Sequence, residues 1–350
     1  MVIRLLVIGT GGMANNHATE FARIPGVQLV AGVDTRPEQL ADFRARHNIP
    51  HGFASVEDAL AWGQFDAATN VTPDPVHYPT TMPLLAAGKH VLCEKPLATS
   101  HADAQAMADA AARAGVVNMV NLSYRNVAAL QQAAVMVADG SIGTVRHFEA
   151  SYLQSWLTQP AWGEWSTQPQ WLWRLSTAHG SKGVLGDVGI HILDYATFIA
   201  GQNVREISCR LATFDKAPGG RVGEYVLDAN DSATMQVVLE NGALGTVAAT
   251  RFATGHLNDL RLRIYGDKGG LEVLFEKGVS ALRACLGHDV QAGHWHDVAA
   301  PVLPSIYERF IAAINGTGVA EPTFARGAAL QRMLDQAEAS AAQGGLALPI

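Results

Sequence analysis

A parallel α/β domain followed by an α+β domain built on a large, open, mostly antiparallel sheet is the architecture this 350-residue sequence predicts. Three observations carry that expectation. The first 120 residues alternate short aliphatic or β-branched runs with longer Ala-rich stretches, the pattern of βαβ units around a parallel sheet. After about residue 143 the runs lengthen and alternate apolar with polar positions, which marks half-buried antiparallel strands. Apolar residues make up 48% of the chain and charged residues only 16%, so two cores can be filled and disorder is excluded.

Taken in order, the strands of the first domain are expected at 2–9, 27–34, 65–71, 89–95 and 116–121, with helices at 13–23, 37–46, 55–62, 76–87 and 99–114. The connections are short enough for right-handed crossovers on one sheet. A boundary near residue 122 then separates domain 1–122 from domain 123–350. In the second domain, helices near 126–139 and 184–200 link or brace the two parts, and alternating strands run through 144–154, 204–214, 233–252 and 260–275. Asn241-Gly242 and the turn from Gly266 to Gly269 read as hairpin connections. Late helices at 304–315 and 324–341 are available to pack back on the first domain, and residues 155–183, rich in Trp, Gln and Gly, read as a long covering loop.

Charge and cysteine usage exclude several classes. The 25 Lys and Arg against 32 Asp and Glu give a net charge of −7, and no basic block is present to neutralise a run of phosphates. Nucleic acid and anionic membrane surfaces are therefore poor partners. Cys93, Cys209 and Cys285 lie far apart with no Cys-x-x-Cys spacing, which argues against a disulfide framework or structural zinc and for a reducing compartment. The N-terminal apolar run is too short for a signal peptide, and no segment approaches the roughly 20 apolar residues that span a bilayer. The expectation is a soluble cytoplasmic protein, and its low charge also suits a large subunit interface.

Gly9-Thr10-Gly11-Gly12-Met13-Ala14 follows the first strand and opens a helix, the setting in which a Gly-x-Gly-x-x-Ala string signals dinucleotide binding. The first glycine permits the tight turn, the second admits a pyrophosphate to the backbone, and Ala14 allows helix and strand to pack closely. Asp34 stands 20 positions beyond Ala14 at the end of the second strand, where a carboxylate can accept hydrogen bonds from the adenosine ribose. That favours NAD, while Arg36 two residues later keeps NADP open.

Further on stand Asn70-Val71-Thr72-Pro73, His77, Glu94-Lys95-Pro96, Tyr124-Arg125-Asn126 and Gly186-Asp187-Val188-Gly189-Ile190-His191. In this order and over nearly the whole chain, these motifs resemble the glucose–fructose oxidoreductase, inositol dehydrogenase and rhizopine catabolism (Gfo/Idh/MocA) family. The resemblance implies cofactor contacts from Gly9, Gly11, Gly12, Met13, Ala14, Asp34, Arg36, Asn70, Thr72, Pro73, His77, Glu94 and Lys95. It also implies a catalytic group of Lys95, Asp187 and His191. The residues themselves agree in part. Ligands of open α/β sheets bind beyond the carboxyl ends of the strands, where Lys95 falls, although a lysine at a strand end is also commonly just exposed. Asp187 and His191 share a helix face at their spacing of four, yet an N-cap and a core histidine would fit the same pattern. In the catalytic reading His191 is the general base, Lys95 stabilises the developing alkoxide and Asp187 orients and polarises the pair.

Tyr152, Gln154 and Trp156 alternate along one strand, with Trp162, Trp165, Trp171, Trp173 and Arg174 beyond it. Tyr124, Arg125, Tyr152, Gln154, Trp165, Arg174, Asp187 and His191 are the candidate substrate contacts, and about half of the tryptophans are expected to pack rather than bind. Asp194 fits either a supporting role or the helix surface. His288, His294 and His296 read as alternating on a late strand, without a partner at metal-ligand spacing, so no metal is expected. The resulting expectation is an NAD(H)-dependent dehydrogenase that oxidises a secondary hydroxyl of a sugar, sugar derivative or inositol, assembled as a homodimer or homotetramer through its second sheet. A redox-neutral NAD-dependent glycosidase on the same scaffold is one alternative. A cofactor-binding regulator is another, and the presence of all three catalytic-type residues weighs against it.

Overall fold

The computed structural model describes residues 2–160 and 162–350. The chain packs into two compact units, Met1–Ser123 with Pro304–Gln331, and Tyr124–Leu303 with Arg332–Ile350.

The first unit carries β1 (Ile3–Ile8), α1 (Gly12–Ala22), β2 (Val27–Val33), α2 (Pro37–His47), β3 (His51–Phe53), α3 (Val56–Trp62), β4 (Ala67–Asn70), α4 (His77–Ala86), β5 (His90–Cys93), α5 (His101–Ala114) and β6 (Asn118–Val120). Its six strands are ordered β3-β2-β1-β4-β5-β6 and all pairs are parallel. With helices on both faces, β1 is buried on both sides, so its run is apolar nearly throughout. The strand order reverses beside β1, which opens a ligand crevice beyond the carboxyl ends of β1 and β4. Helix boundaries follow local chemistry: the Ser55 and Ser100 side chains cap α3 and α5, and Gly63 and Gly115 end them at positive φ. β3 escapes a reading from sequence because three residues, none of them buried, show no alternation.

The second unit carries α6 (Ala128–Ala138), β7 (Val145–Gln154), α7 (Pro169–Leu172), α8 (Ile190–Ala200), β8 (Val204–Ala212), β9 (Arg221–Val222), β10 (Tyr225–Val226), β11 (Ser232–Leu239), β12 (Leu244–Thr250), β13 (Asn258–Gly266), β14 (Gly269–Glu276), β15 (Val279–Leu286), α9 (Asp289–Ala292) and β16 (His296–Val298). The chain closes with α10 (Ile306–Ile314), α11 (Phe324–Ala342) and β17 (Leu348–Pro349). In the first unit's core, Ile306, Tyr307 and Phe310 of α10 pack with Leu5, Phe21 and Leu92. Wholly buried Phe21 contributes roughly 1.5–3 kcal/mol relative to exposure.

The nine-stranded sheet runs β16-β15-β14-β13-β7-β12-β11-β8-β17 and is antiparallel except at β7–β12. α8 and α6 pack on it. Register places Phe148, Ile264, Leu271 and Ala284 side by side on the buried face. One position along, Glu149, Arg263, Glu272 and Arg283 form a row of alternating charge, with Arg263 Nε 3.0 Å from Glu272 and Arg283 Nη1 3.4 Å from it.

Two sequence expectations need correction. His288, His294 and His296 do not alternate on a strand, because α9 intervenes; His288 and His296 each lie 3.4 Å from Asp289. Among the described residues no group of three or more metal-type side chains converges, and no helix is long and apolar enough to cross a membrane. Asp187 sits in a π-helical turn, Leu185–Gly189, that runs into α8 rather than in a regular α-helix.

Candidate active site

The loop after β1 is shaped for close approach. Gly9 has φ +82°, and a Cβ there would lie 2.8 Å from the Val71 carbonyl oxygen, so the crossing of β1 and β4 requires glycine. At Gly11 a Cβ would meet only Gln39 Nε2 at 4.0 Å, and at Gly12 nothing within 4 Å. The amides at the start of α1 are therefore approachable, and buried Ala14 seats that helix on the sheet while Met13 stays half-exposed. Open space above a helix N-terminus fits a pyrophosphate.

Asp34 follows β2, and its carboxylate accepts from Thr10 N (2.9 Å), Thr10 Oγ1 (2.7 Å), Arg36 N (3.0 Å) and Arg36 Nε (2.9 Å). Burial alone would raise its pKa, but the hydrogen bonds from Arg36 and Thr10 outweigh that and hold it far below the usual carboxylate range. Arg36 remains largely exposed, and its guanidinium grips the buried Asp34 carboxylate through both Nε and Nη2.

Asn70 and His77, which the resemblance places at the cofactor, each have partners within the protein. Asn70, wholly buried, donates to Thr80 Oγ1 (2.8 Å) and Thr81 Oγ1 (2.9 Å) and accepts from Thr72 N (3.2 Å) and Thr72 Oγ1 (2.7 Å), which pins the Thr72-Pro73 loop. His77 is also wholly buried, with Nδ1 2.8 Å from the Pro96 carbonyl and Nε2 2.9 Å from the Thr72 carbonyl. Carbonyls only accept, so both ring nitrogens carry protons. Burial works against that charge, but the Cys93 sulfur, Asp74 and the Pro96 carbonyl outweigh it and raise the pKa to about 10. His77 thus ties the Thr72 loop to the segment following Lys95.

Glu94 belongs to a buried network that sequence reasoning did not find. His17 Nε2 lies 2.9 Å from Glu94 Oε1 and its Nδ1 2.7 Å from Thr69 Oγ1; Asn121 Nδ2 also donates to Glu94, and Lys95 N reaches Glu94 Oε2 at 3.1 Å. Tyr307 stacks edge-on against His17 and accepts from Asn16 Nδ2 at 3.1 Å. Burial would raise the Glu94 pKa, yet the His17 and Asn121 contacts and the Lys95 charge bring it down to about 2. Glu94 is thereby a fixed anion that orients the Lys95 backbone.

In the second unit the polar candidates form a directed chain. The indole nitrogen of Trp156 can only donate, so the Gln154 atom 3.2 Å away is its carbonyl oxygen. Gln154 Nε2 then donates to Asn258 Oδ1 (2.9 Å), and Asn258 Nδ2 donates to the Tyr124 hydroxyl (2.6 Å). Tyr152 donates to Asn258 Oδ1 at 2.6 Å, so in the close Tyr124–Tyr152 pair the proton comes from Tyr124. Toward any further group at its hydroxyl, Tyr124 is an acceptor. Its ring stands edge-on to His191 with centroids 5.0 Å apart, and Tyr152 is 6.4 Å from the same imidazole. Burial and the neighbouring Tyr124 hold the Tyr152 hydroxyl well above its ordinary pKa, which keeps the chain protonated.

Arg125, a candidate substrate contact from the sequence, lies in a buried ion pair: Nε and Nη2 grip Asp194 at 2.6 and 2.8 Å, with the guanidinium 3.6 Å from the Phe198 ring centroid. Asp194 is accordingly not on the helix surface. Trp165 and Trp162 pack with Trp156, Trp171, Leu172 and Leu175 in a small separate core, and Arg174 lies over Trp173. Asp187 meets Arg251 Nη2 at 3.1 Å and Arg174 Nε at 3.8 Å. Arg251 and Asn258, on segments far along the chain, gave no sequence signal. His17 did, since it lies on α1 at helical spacing with buried Ala14, Ala18 and Phe21.

An open, glycine-lined helix N-terminus at the reversal point of a parallel sheet, with an ionised acid at the end of β2, is the arrangement of a dinucleotide-binding domain. Residues 3–122 match the oxidoreductase family model with an NAD-binding Rossmann fold, and residues 130–272 match the GFO/IDH/MocA C-terminal domain. Among relatives, levoglucosan dehydrogenase of Pseudarthrobacter phenanthrenivorans is 26% identical over 294 residues, 77% of this chain and 73% of that protein. Myo-inositol 2-dehydrogenase of Thermotoga maritima is 25% identical over 267 residues, 76% of this chain and 74% of that protein. A crystal structure of an oxidoreductase domain protein from Kribbella flavida superposes with a TM-score of 0.87 at 31% identity, covering 99% of each chain. The chain belongs to the GFO/IDH/MocA family of NAD(P)-dependent oxidoreductases, and its first unit contains an NAD-binding Rossmann domain.

Proposed function

We propose that this protein oxidises one secondary hydroxyl of a sugar, sugar derivative or inositol to a ketone, or runs the reverse reduction, with NAD preferred over NADP. The observation that carries this reading is the directed Trp156–Gln154–Asn258–Tyr124 chain beside His191: an acceptor phenol and aromatic edges suit a ring bearing hydroxyl donors. The levoglucosan and myo-inositol dehydrogenases among its relatives support the same substrate class. NAD, when bound, would supply the hydride acceptor. Gly11, Gly12 and the start of α1 would hold its pyrophosphate, and Asp34 its adenosine ribose. His191 takes the hydroxyl proton as general base, Lys95 stabilises the alkoxide by charge, and Asp187 orients and polarises. The test is a panel of anhydrosugars, glycosides and inositols offered with NAD and NADP; turnover of at least one ring polyol is expected, and none with any member would overturn the reading.

Cofactor choice follows from Asp34. In Asp34→Ala the exposed Arg36 loses its partner and becomes able to meet a 2′-phosphate, so the NAD preference should fall by about tenfold, the weight of one charge-assisted hydrogen bond. Calorimetry with both cofactors decides it; wild-type protein binding NADP more tightly would mean that Arg36 governs the pocket.

Gln154→Ala removes the middle of the directed chain and leaves the buried Trp156 N–H without its acceptor. The polyol KM should rise roughly tenfold with NAD affinity unchanged. Wild-type kinetics for that variant would assign the segment to packing alone.

The row Glu149–Arg263–Glu272–Arg283 is of alternating sign and suits a second copy of itself, which supports a homodimer or homotetramer through the nine-stranded sheet. Sedimentation of wild type against Arg263→Glu reads this directly.

A further inference from the structure

Arg251 stands first among the large wholly buried side chains of the described residues and follows β12 directly. Its backbone is fixed by donation from Arg251 N to the Asp231 carbonyl at 3.0 Å. Its guanidinium donates from Nη1 to the Arg174 carbonyl at 3.0 Å and from Nη2 to Asp187 Oδ2 at 3.1 Å, and stands 5.1 Å from the Trp156 ring centroid. Nε, equally buried, has no hydrogen-bond acceptor. A guanidinium cannot shed its charge, and burying it uncompensated is prohibitive, so its position demands an anion. Asp231 also acts on Arg251 by its charge, but Lys216 engages it at 2.6 Å in a pair buried on both sides. Asp187 is the carboxylate in hydrogen-bond contact with the Arg251 guanidinium.

We propose that Arg251 is a positioning residue for the reaction: it holds the Asp187 carboxylate in place and in its ionised state, so that Asp187 serves as a fixed anion and not as a proton acceptor. This rests on the reading that Asp187 takes part in catalysis. The charge arrangement around the pair is consistent with it. Arg174 faces the same Asp187 oxygen from the Trp-rich segment, Tyr152 faces it from β7, His191 follows it on α8, and Asp231, paired with Lys216, also acts on Arg251. Burial lowers the Arg251 pKa while the Asp187 charge opposes that, as a mutually dependent pair requires.

The experiment has a ligand-free arm and a kinetic arm. Asp187 is followed by carbon NMR of aspartate-labelled protein in wild type, Arg251→Met and Arg251→Lys. Loss of a neighbouring cation disfavours the carboxylate, so the Asp187 titration midpoint should rise by about one pH unit or more in Arg251→Met and return toward wild type in Arg251→Lys. With the polyol that turns over in the panel, kcat of Arg251→Met should fall about 10²-fold, as expected for a misplaced catalytic group, with KM little changed and the acidic limb of the pH profile moved upward. If Arg251→Met does not fold, the Asp187→Asn/Arg251→Met double variant removes both charges and should fold without activity, while Arg251→Lys carries the titration. An unmoved Asp187 midpoint overturns the proposal and leaves the dehydrogenase reading standing. A fully active Asp187→Asn variant overturns the catalytic reading of Asp187 itself.

Discussion

Replacing Lys95 with methionine is expected to lower kcat about 10²–10³-fold while leaving NAD affinity within a few-fold, the loss that follows removal of one preorganised stabiliser of a developing oxyanion. The local structure makes this a clean experiment. Lys95 is placed by its backbone, through its own N–H to Glu94 Oε2 and through Pro96, whose carbonyl is held by His77. Neither of these contacts uses the ammonium, and methionine has similar length, so both backbone anchors remain in the variant while the charge is lost. Steady-state rates and calorimetry with NAD measure the two halves separately. Loss of NAD binding with an unchanged rate at saturating cofactor would reassign Lys95 from catalysis to cofactor binding.

Gly11→Val is expected to weaken NAD roughly 10²-fold or more, the cost of blocking two charge-assisted hydrogen bonds to phosphate, while the fold survives. Gly11 has φ −76°, which any residue adopts, and its Cβ would meet only Gln39 Nε2 at 4.0 Å. The branched side chain therefore occupies the approach to α1 and nothing else. Gly9 is the contrast: with φ +82° and the Val71 carbonyl oxygen 2.8 Å from where a Cβ would stand, valine there should damage folding first. Calorimetry and thermal unfolding of the two variants separate these outcomes, and wild-type NAD affinity in Gly11→Val would remove the cradle from the account.

Periodicity reports burial, and that is why so much of the fold was legible. The apolar runs of β1, β2, β4, β5 and β6 and the alternation of β7 mark strands whose surroundings are the same along their length. The Gly9–Ala14 turn into α1 and the place of Asp34 after β2 were legible because backbone shape and spacing within one βαβ unit fix them. What the sequence withholds is the partner of a polar side chain. Asn70, His77 and Arg125 each have partners inside the protein that their own positions do not reveal, Thr80 and Thr81, two carbonyls, and Asp194. Asn16 meets Tyr307 from the far end of the chain, and Arg251 meets Asp187 across 64 positions, distances over which no spacing rule operates. The π-helical turn at Asp187 was hidden for a different reason: its apolar spacing is close enough to that of an α-helix to read as one.

The most direct test of the dehydrogenase reading is the stoichiometry of reduced nicotinamide to oxidised sugar or cyclitol, measured on the same sample by absorbance and by product analysis. One equivalent of reduced nicotinamide for each ketone formed is the predicted result; release of an aglycone with no accumulation of reduced nicotinamide would contradict it.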